Sequence, residues 1–380
     1  MVLNGIDRLE EYASCLKEKR LGLITTPTGL TRDFTSTIDL LHRNHNLAAL
    51  FSPEHGVRGD MPAGAVVDTY TDRETGIPVY SLYRKDSKRL TPDMLEKVDA
   101  VVYDIQDVGT RFYTFISTLL YALEDCAVAG KELILFDRVN PLGGAAVEGG
   151  VLDDAYRSFI GAYSLPVRYG LTAGEFARMA AAQQKLDVQL TVIPCKNWRR
   201  DMLFSDTSLP WVMPSLGIPT FATALLYPGT CVFEGTNLSE GRGTTAPFHI
   251  IGAPFIHATS LANEMNGLKL PGVYFRPIHF CPTASKFKGE NCSGVYLHVL
   301  DSRSVRPVET GIRLLYTIRR MYGAQFSFLP PMKEGSRPFI DLLCGSGLYR
   351  EELDEERVLE RFENESHLFE SEKQAFHLYD

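Results

Sequence analysis

The sequence predicts an α/β protein with a Rossmann-like N-terminal domain built on a parallel sheet and a smaller α+β C-terminal domain. Two observations predict the sheet. Four short apolar runs in the first 150 residues are apolar on both faces, as strands covered by helices on both sides must be. A long amphipathic stretch lies between the third and fourth, and strand–helix–strand order implies a right-handed crossover onto a parallel sheet. A third observation predicts the second domain: at 380 residues the chain is long enough for two, and its texture changes near residue 227.

The predicted strands are Leu21–Thr25, Leu47–Ser52, Ala100–Ile105 and Glu132–Phe136. Phe112–Ala129 reads as the crossover helix, stopped by Gly130. Thr172–Leu186 reads as another helix, with Thr172 as N-cap and Glu175 completing a capping box, followed by a strand at Val188–Ile193. Tyr227–Pro254 is rich in Gly, Thr and Pro and predicts an irregular functional loop layer. A helix near Ser260–Gly267, a strand at Gly294–Leu300, a helix at Val308–Met321 and a charged helical tail over Glu351–Tyr379 complete the chain. The domain break is expected between about 210 and 228, which gives domains of 1–225 and 226–380.

Composition excludes several function classes. The net charge of −8 argues against nucleic-acid binding, which needs a basic face to neutralise phosphates. No apolar run reaches the roughly 18 residues of a membrane span, and the first residues lack the basic and apolar regions of a secretory signal. Seven scattered Cys without a C-x-x-C make neither a zinc pattern nor a disulfide framework. A cytoplasmic protein with reduced thiols is the expectation. The dinucleotide fingerprint G-x-G-x-x-G, the Walker loop, H-E-x-x-H and G-x-S-x-G are all missing.

The strand ends carry the functional signal, because ligands of open α/β sheets bind beyond the carboxyl ends of the strands. The first predicted strand is followed by Thr25-Thr26-Pro27 and the second by Glu54, His55 and Arg58. The third leads into Asp104, Gln106, Asp107 and Arg111, and the fourth into Asp137, Arg138 and Asn140. Glu54 sits on a tight turn between Pro53 and His55-Gly56, which suits a fixed carboxyl in a cleft. Asp104 and the Asp137-Arg138 pair have structural readings, as caps or ion pairs, of equal weight. His55 is either an acid–base group or a structural histidine. A second concentration holds Glu234, Asn237, Glu240 and Arg242 among glycines and threonines, the groups a hydroxylated or carboxylated substrate needs for oriented hydrogen bonds. Tyr113, Tyr163, Trp198 and Trp211 are candidates for stacking on a sugar ring. Carboxylates with one His, from Glu54, His55, Asp104 and Asp107, also admit a metal reading, but at no known cage spacing.

SPEHGVRGD (52–60), YDIQDVGTRFYT (103–114), DRVNPLGG (137–144) and YPGTCVFEGTNLSEGRGTTAPF (227–248) together resemble the exo-β-N-acetylmuramidase family of NamZ type. The resemblance implies a glycoside hydrolase that removes N-acetylmuramic acid from the non-reducing end of peptidoglycan fragments, without a cofactor or metal. It implies Glu54 as general acid, with His55 beside it. Asp107, Glu234 or Glu240 is the second catalytic group. It places Arg58, Gln106, Arg111, Tyr113, Asn140, Asn237 and Arg242 against the substrate, with Arg111 or Arg242 on its lactyl carboxylate. The chain departs from the family pattern at Tyr169, at Leu216-Gly217 and at His249, positions that bear on the exact sugar. The rival classes are a non-catalytic sugar-binding protein with the same cleft and a metal-dependent hydrolase.

Overall fold

The computed structural model describes residues 1–59 and 69–380. Asp60, the last residue of the SPEHGVRGD stretch, lies outside them. A seven-stranded sheet is ordered β3-β4-β2-β1-β5-β6-β7. Its strands are β1 (Arg20–Thr25), β2 (Asn46–Ser52), β3 (Tyr70–Thr71), β4 (Pro78–Ser81), β5 (Ala100–Asp104), β6 (Glu132–Phe136) and β7 (Leu190–Ile193). All neighbouring pairs are parallel except the edge pair β3–β4, so the sheet is mixed rather than purely parallel.

Strand alternation sorts the core into two layers. Val101 and Tyr103 of β5, with Leu133 and Leu135 of β6, face α2 (Pro92–Leu95), α3 (Phe115–Ala129) and α4 (Ala173–Gln183). Ala100, Val102, Ile134 and Phe136 face the other way, onto the 3₁₀ helix Gly5–Cys15 and α1 (Thr37–Asn44). Each residue thus points opposite to its neighbour, the period-2 rule of a strand buried on both faces. The crossover helix starts three residues later than the sequence suggested, at Phe115, and ends at Gly130 in the left-handed conformation. The Thr172–Glu175 capping box forms as expected at the start of α4.

The C-terminal part holds a three-stranded antiparallel sheet, ordered β8-β10-β9. It is built from β8 (Ile250–Ala253), β9 (Val273–Phe280) and β10 (Cys292–Val299), with α5 (Phe221–Thr230), α6 (Ala258–Gly267) and α7 (Pro307–Met321) alongside. α8 (Phe339–Cys344) and α9 (Leu348–Glu351) precede α10 (Glu355–Lys373), which starts later and ends earlier than the predicted helical tail. One core runs on from the α3–α4 side of the large sheet into this part, taking in Leu225, Phe233, Ile251 and Val295. Among the described residues no helix is long and apolar enough to cross a membrane, and all seven cysteines are free.

The expected loop layer is regular at its start, where Tyr227–Thr230 form the last turn of α5 despite Pro228. Packing explains why. A side chain on Gly229 would bring its Cβ to 1.8 Å from the Pro307 carbonyl oxygen, and one on Gly311 to 2.0 Å from the Gly229 oxygen. α5 and α7 therefore meet backbone to backbone. Gly229→Ala is expected to cost roughly 1–3 kcal/mol, because backbone cannot yield as a side chain can; equal urea midpoints for variant and parent would contradict it.

Candidate active site

The order of the sheet reverses between β1 and β5, and the carboxyl ends of these central strands are where open α/β sheets form their ligand crevice. After β2 the chain turns sharply, with His55 at φ +75° and Gly56 at φ +82°. A positive φ is costly for a residue with a Cβ and is held only where the surroundings fix it. The turn leaves Glu54 half-buried, and its Oε2 accepts from Thr114 Oγ1 at 2.8 Å. Burial first, then the neighbouring Glu54 carboxylate, push the Tyr83 hydroxyl up. Lys88 lies 3.3 Å from the centre of the Tyr83 ring, and burial pulls its ammonium down.

After β5, two carboxylates take separate roles. Asp104 is fully buried and held by Arg138 at 2.6 and 2.9 Å and by the Thr37 hydroxyl at 2.5 Å, which makes it structural. Asp107 Oδ1 accepts from the Tyr169 hydroxyl at 2.5 Å and from Gly109 N at 2.7 Å. Its Oδ2 is buried and has no partner among the described residues. Burial pushes this carboxyl up to about 6, with the Tyr169 and Gly109 hydrogen bonds opposing. After β6, Asp137 is likewise pushed up to about 6 by burial, while Thr172, Gly174 and Tyr379 hydrogen-bond it.

The second concentration is brought to the same rim by a row of rings. The His55 and Phe115 centroids are 6.3 Å apart, Phe115 and Tyr113 5.1 Å, Tyr113 and Tyr227 5.9 Å, and Tyr227 and Phe248 4.7 Å, all edge to face. The Arg242 guanidinium lies 5.0 Å from the Phe248 centroid. Arg242 donates twice to Glu234 Oε1, at 2.8 and 2.6 Å, and reaches Glu240 at 3.6 Å. Lys286 pairs with Glu240 at 3.0 Å and also donates to the Phe233 and Leu238 carbonyls. Burial pushes Glu234 up, with the Arg242 charge opposing. Burial pushes the Tyr113 hydroxyl up, with a Ser215 hydrogen bond opposing, and the charges of Asp107, Glu54 and Arg242 all act on it.

Several sequence-predicted binding residues are occupied elsewhere. Arg111 is fully buried, and its guanidinium donates to the carbonyls of Gly150, Leu165, Leu343 and Cys344 at 2.6–2.8 Å. Both terminal nitrogens are spent on backbone carbonyls and the remaining Nε is buried, so its role is structural. Asn140 donates to Leu171 O and accepts from Leu142 N, pinning a buried turn. Asn237 spans Gln325 O and Ser327 N. Arg58 holds Asp72 at 2.6 Å and keeps that carboxyl down at about 2, beside the edge strand. Gln106 donates to the carbonyls of Asp107 and Val139, bracing the loop after β5. His249 is buried between Leu297 O and the Thr223 hydroxyl, whereas Leu216 is exposed. The neighbours that sequence reasoning passed over as site residues are Tyr83, Lys88, Thr114 and Lys286. Thr114 closes the YDIQDVGTRFYT stretch and the other three lie outside the quoted motifs, so only pairing across the fold reveals them.

Asp107→Asn keeps Oδ1 as acceptor for Tyr169 and Gly109 but removes the buried charge. A carboxyl raised from 3.8 to about 6 favours the folded state at low pH, and that advantage is lost as pH rises through about 4–6. The Asn variant is therefore expected to be about 1–3 kcal/mol more stable at pH 7 and to lack the wild-type fall between pH 4 and 6. Urea titrations at pH 4, 5.5 and 7 check this; a variant that is less stable at pH 7 would contradict it.

A cavity of about 810 Å³ lies elsewhere, between the Glu148–Arg168 pair and helices α7 and α10, and is lined by none of the sequence-predicted site residues. The crevice is thus marked by chemistry and topology rather than by volume.

Comparison with known proteins agrees with this architecture. The chain matches the family described as "Exo-beta-N-acetylmuramidase NamZ, N-terminal" over residues 21–222 and "Exo-beta-N-acetylmuramidase NamZ, C-terminal" over 225–379. It is 44% identical over 385 aligned positions to the peptidoglycan beta-N-acetylmuramidase NamZ of Bacillus subtilis strain 168, covering 100% of this chain and 91% of that protein. A crystal structure of a DUF1343 family protein from Bacteroides fragilis is 38% identical with a TM-score of 0.91, covering 100% of this chain and 99% of that one. A second from the same organism is 28% identical with a TM-score of 0.77, at the same coverage. Matches of this identity along the whole chain settle its kinship: it belongs to the NamZ family of exo-β-N-acetylmuramidases.

Proposed function

We propose that this protein is an exo-acting β-N-acetylmuramidase that releases N-acetylmuramic acid from the non-reducing end of peptidoglycan fragments. The observation that carries the reading is a half-buried Glu54, fixed by Thr114 on a strained turn at the crevice rim, in a chain 44% identical to a named muramidase. Residues 1–225 supply the crevice and 226–380 the loop layer that borders it.

Glu54 protonates the glycosidic oxygen as the bond breaks through an oxocarbenium-like transition state, and water supplies the hydroxyl taken up by the anomeric carbon, its other proton passing to the second carboxylate. Tyr83 and Lys88 border it, and His55, in the next position, anchors the turn against Phe115. Glu234, the more exposed carboxylate of the loop layer, is the second carboxylate, oriented by Arg242. Glu240 positions Arg242 and Lys286 rather than touching substrate. Asp107, its carboxyl pushed up to about 6 by burial, fixes Tyr169 and the loop after β5. The Tyr113 and Tyr227 rings supply the apolar wall against which a pyranose packs.

The test is end polarity. Wild type is expected to split MurNAc–GlcNAc and to leave GlcNAc–MurNAc intact, read by mass spectrometry. Cleavage of both at similar rates, or of neither, would overturn the reading.

A further inference from the structure

A second, smaller feature occupies the point where the strand order reverses. The loops after β1, β5 and β6 and the segment leading to α5 enclose a niche of about 30 Å³, lined among others by Thr28, Arg32, Gln106, Arg138 and Trp211. Two donors of these residues, Arg32 Nη1 and Trp211 Nε1, are shielded from solvent and have no partner among the described residues. The backbone N–H of Arg32 donates to Asp7 Oδ1 at 2.7 Å, which fixes the start of the side chain without satisfying its guanidinium. The other arginine is already neutralised, because Arg138 grips Asp104. No acidic side chain lines the niche.

This chemistry selects its occupant. A guanidinium presents N–H donors in a fork that matches a carboxylate, and an indole N–H only donates. A buried donor left unpaired is unfavourable, so the site favours an acceptor, and an anionic one most. A niche of this size takes a small group such as a carboxylate and excludes a sugar ring. The ring therefore stays outside, in the crevice.

We propose that this niche is the subsite for the lactyl carboxylate of the terminal sugar, held by Arg32 and Trp211. The inference rests on the muramidase reading and replaces Arg111, whose terminal nitrogens are spent on backbone carbonyls. It also supplies a basis for rejecting N-acetylglucosamine at the terminal position, since that sugar lacks the carboxylate and leaves both donors unpaired.

Two variants test it. Trp211→Phe removes the N–H and keeps a ring to pack on Phe204, 4.9 Å away; Arg32→Gln removes the charge. Each is assayed on MurNAc–GlcNAc and on the same disaccharide with the lactyl carboxylate reduced to an alcohol. Both variants are expected to lose at least tenfold in kcat/KM on the acid, mainly through KM, and less than threefold on the alcohol. Equal losses on the two substrates, or no loss on the acid, would overturn the proposal. Should wild type cleave neither substrate, the muramidase reading fails by itself. Calorimetric titration with N-acetylmuramic acid and N-acetylglucosamine then decides the niche alone. A preference for the acid that disappears in Trp211→Phe supports it; no preference, as for a niche that holds water only, overturns it.

Discussion

Arg111→Met is expected to lower stability by about 3–5 kcal/mol, the cost typical of removing one partner from a buried charged network. The guanidinium closes four carbonyls that lie 39, 54, 232 and 233 residues away in sequence, so it staples the loop after β5 to the 150–165 segment and to the end of α8. Burial pulls the group down to about 10, which still leaves it charged at neutral pH. Methionine fills much of the volume but donates nothing, and each stranded carbonyl adds its own desolvation penalty. Arg111→Lys fares little better, because one ammonium cannot span four acceptors set for a planar fork. Urea unfolding of the purified variants checks this. An unchanged midpoint with a raised KM would return Arg111 to the substrate.

Glu54→Gln is expected to reduce kcat by about 10²–10⁴-fold with little change in KM, the range for loss of a positioned general acid. Glutamine keeps an oxygen for the Thr114 hydroxyl, so the turn at His55-Gly56 and the ring contact with Phe115 persist. Steric rearrangement is therefore not the source of the loss. Far-ultraviolet circular dichroism and the urea midpoint are expected to match wild type. A variant with more than a tenth of wild-type kcat would remove Glu54 from the acid role.

The strands, the capping box and the rim were legible because they are local. Period, apolar runs and the Thr172–Glu175 spacing are written within a few residues of each other. Less legible were features set by distant partners. Pro228-Gly229 reads as a helix breaker, yet α5 continues through it, because α7 demands a side-chain-free surface there. β9 escaped notice since Pro277 interrupts VYFRPIHF; it pairs as an edge strand, where a missing N–H is tolerated. Arg111 reads as a binding residue because it follows a Gly turn at a strand end. Only the return of the chain at residues 343 and 344 shows its outermost nitrogen to be used. Asp104 and Asp107 lie three residues apart in one motif and look alike. Burial with Arg138 separates the first as structural, and burial without a cation pushes the second up.

The central claim is that Glu54, at the end of β2, drives release of terminal N-acetylmuramic acid. The most direct measurement follows a MurNAc-terminated glycan chain by proton NMR, with wild type and with Glu54→Gln matched for folded protein. Stepwise appearance of free N-acetylmuramic acid is expected with wild type and none above background with the variant. Internal cleavage products from wild type, or equal release by both proteins, would contradict it.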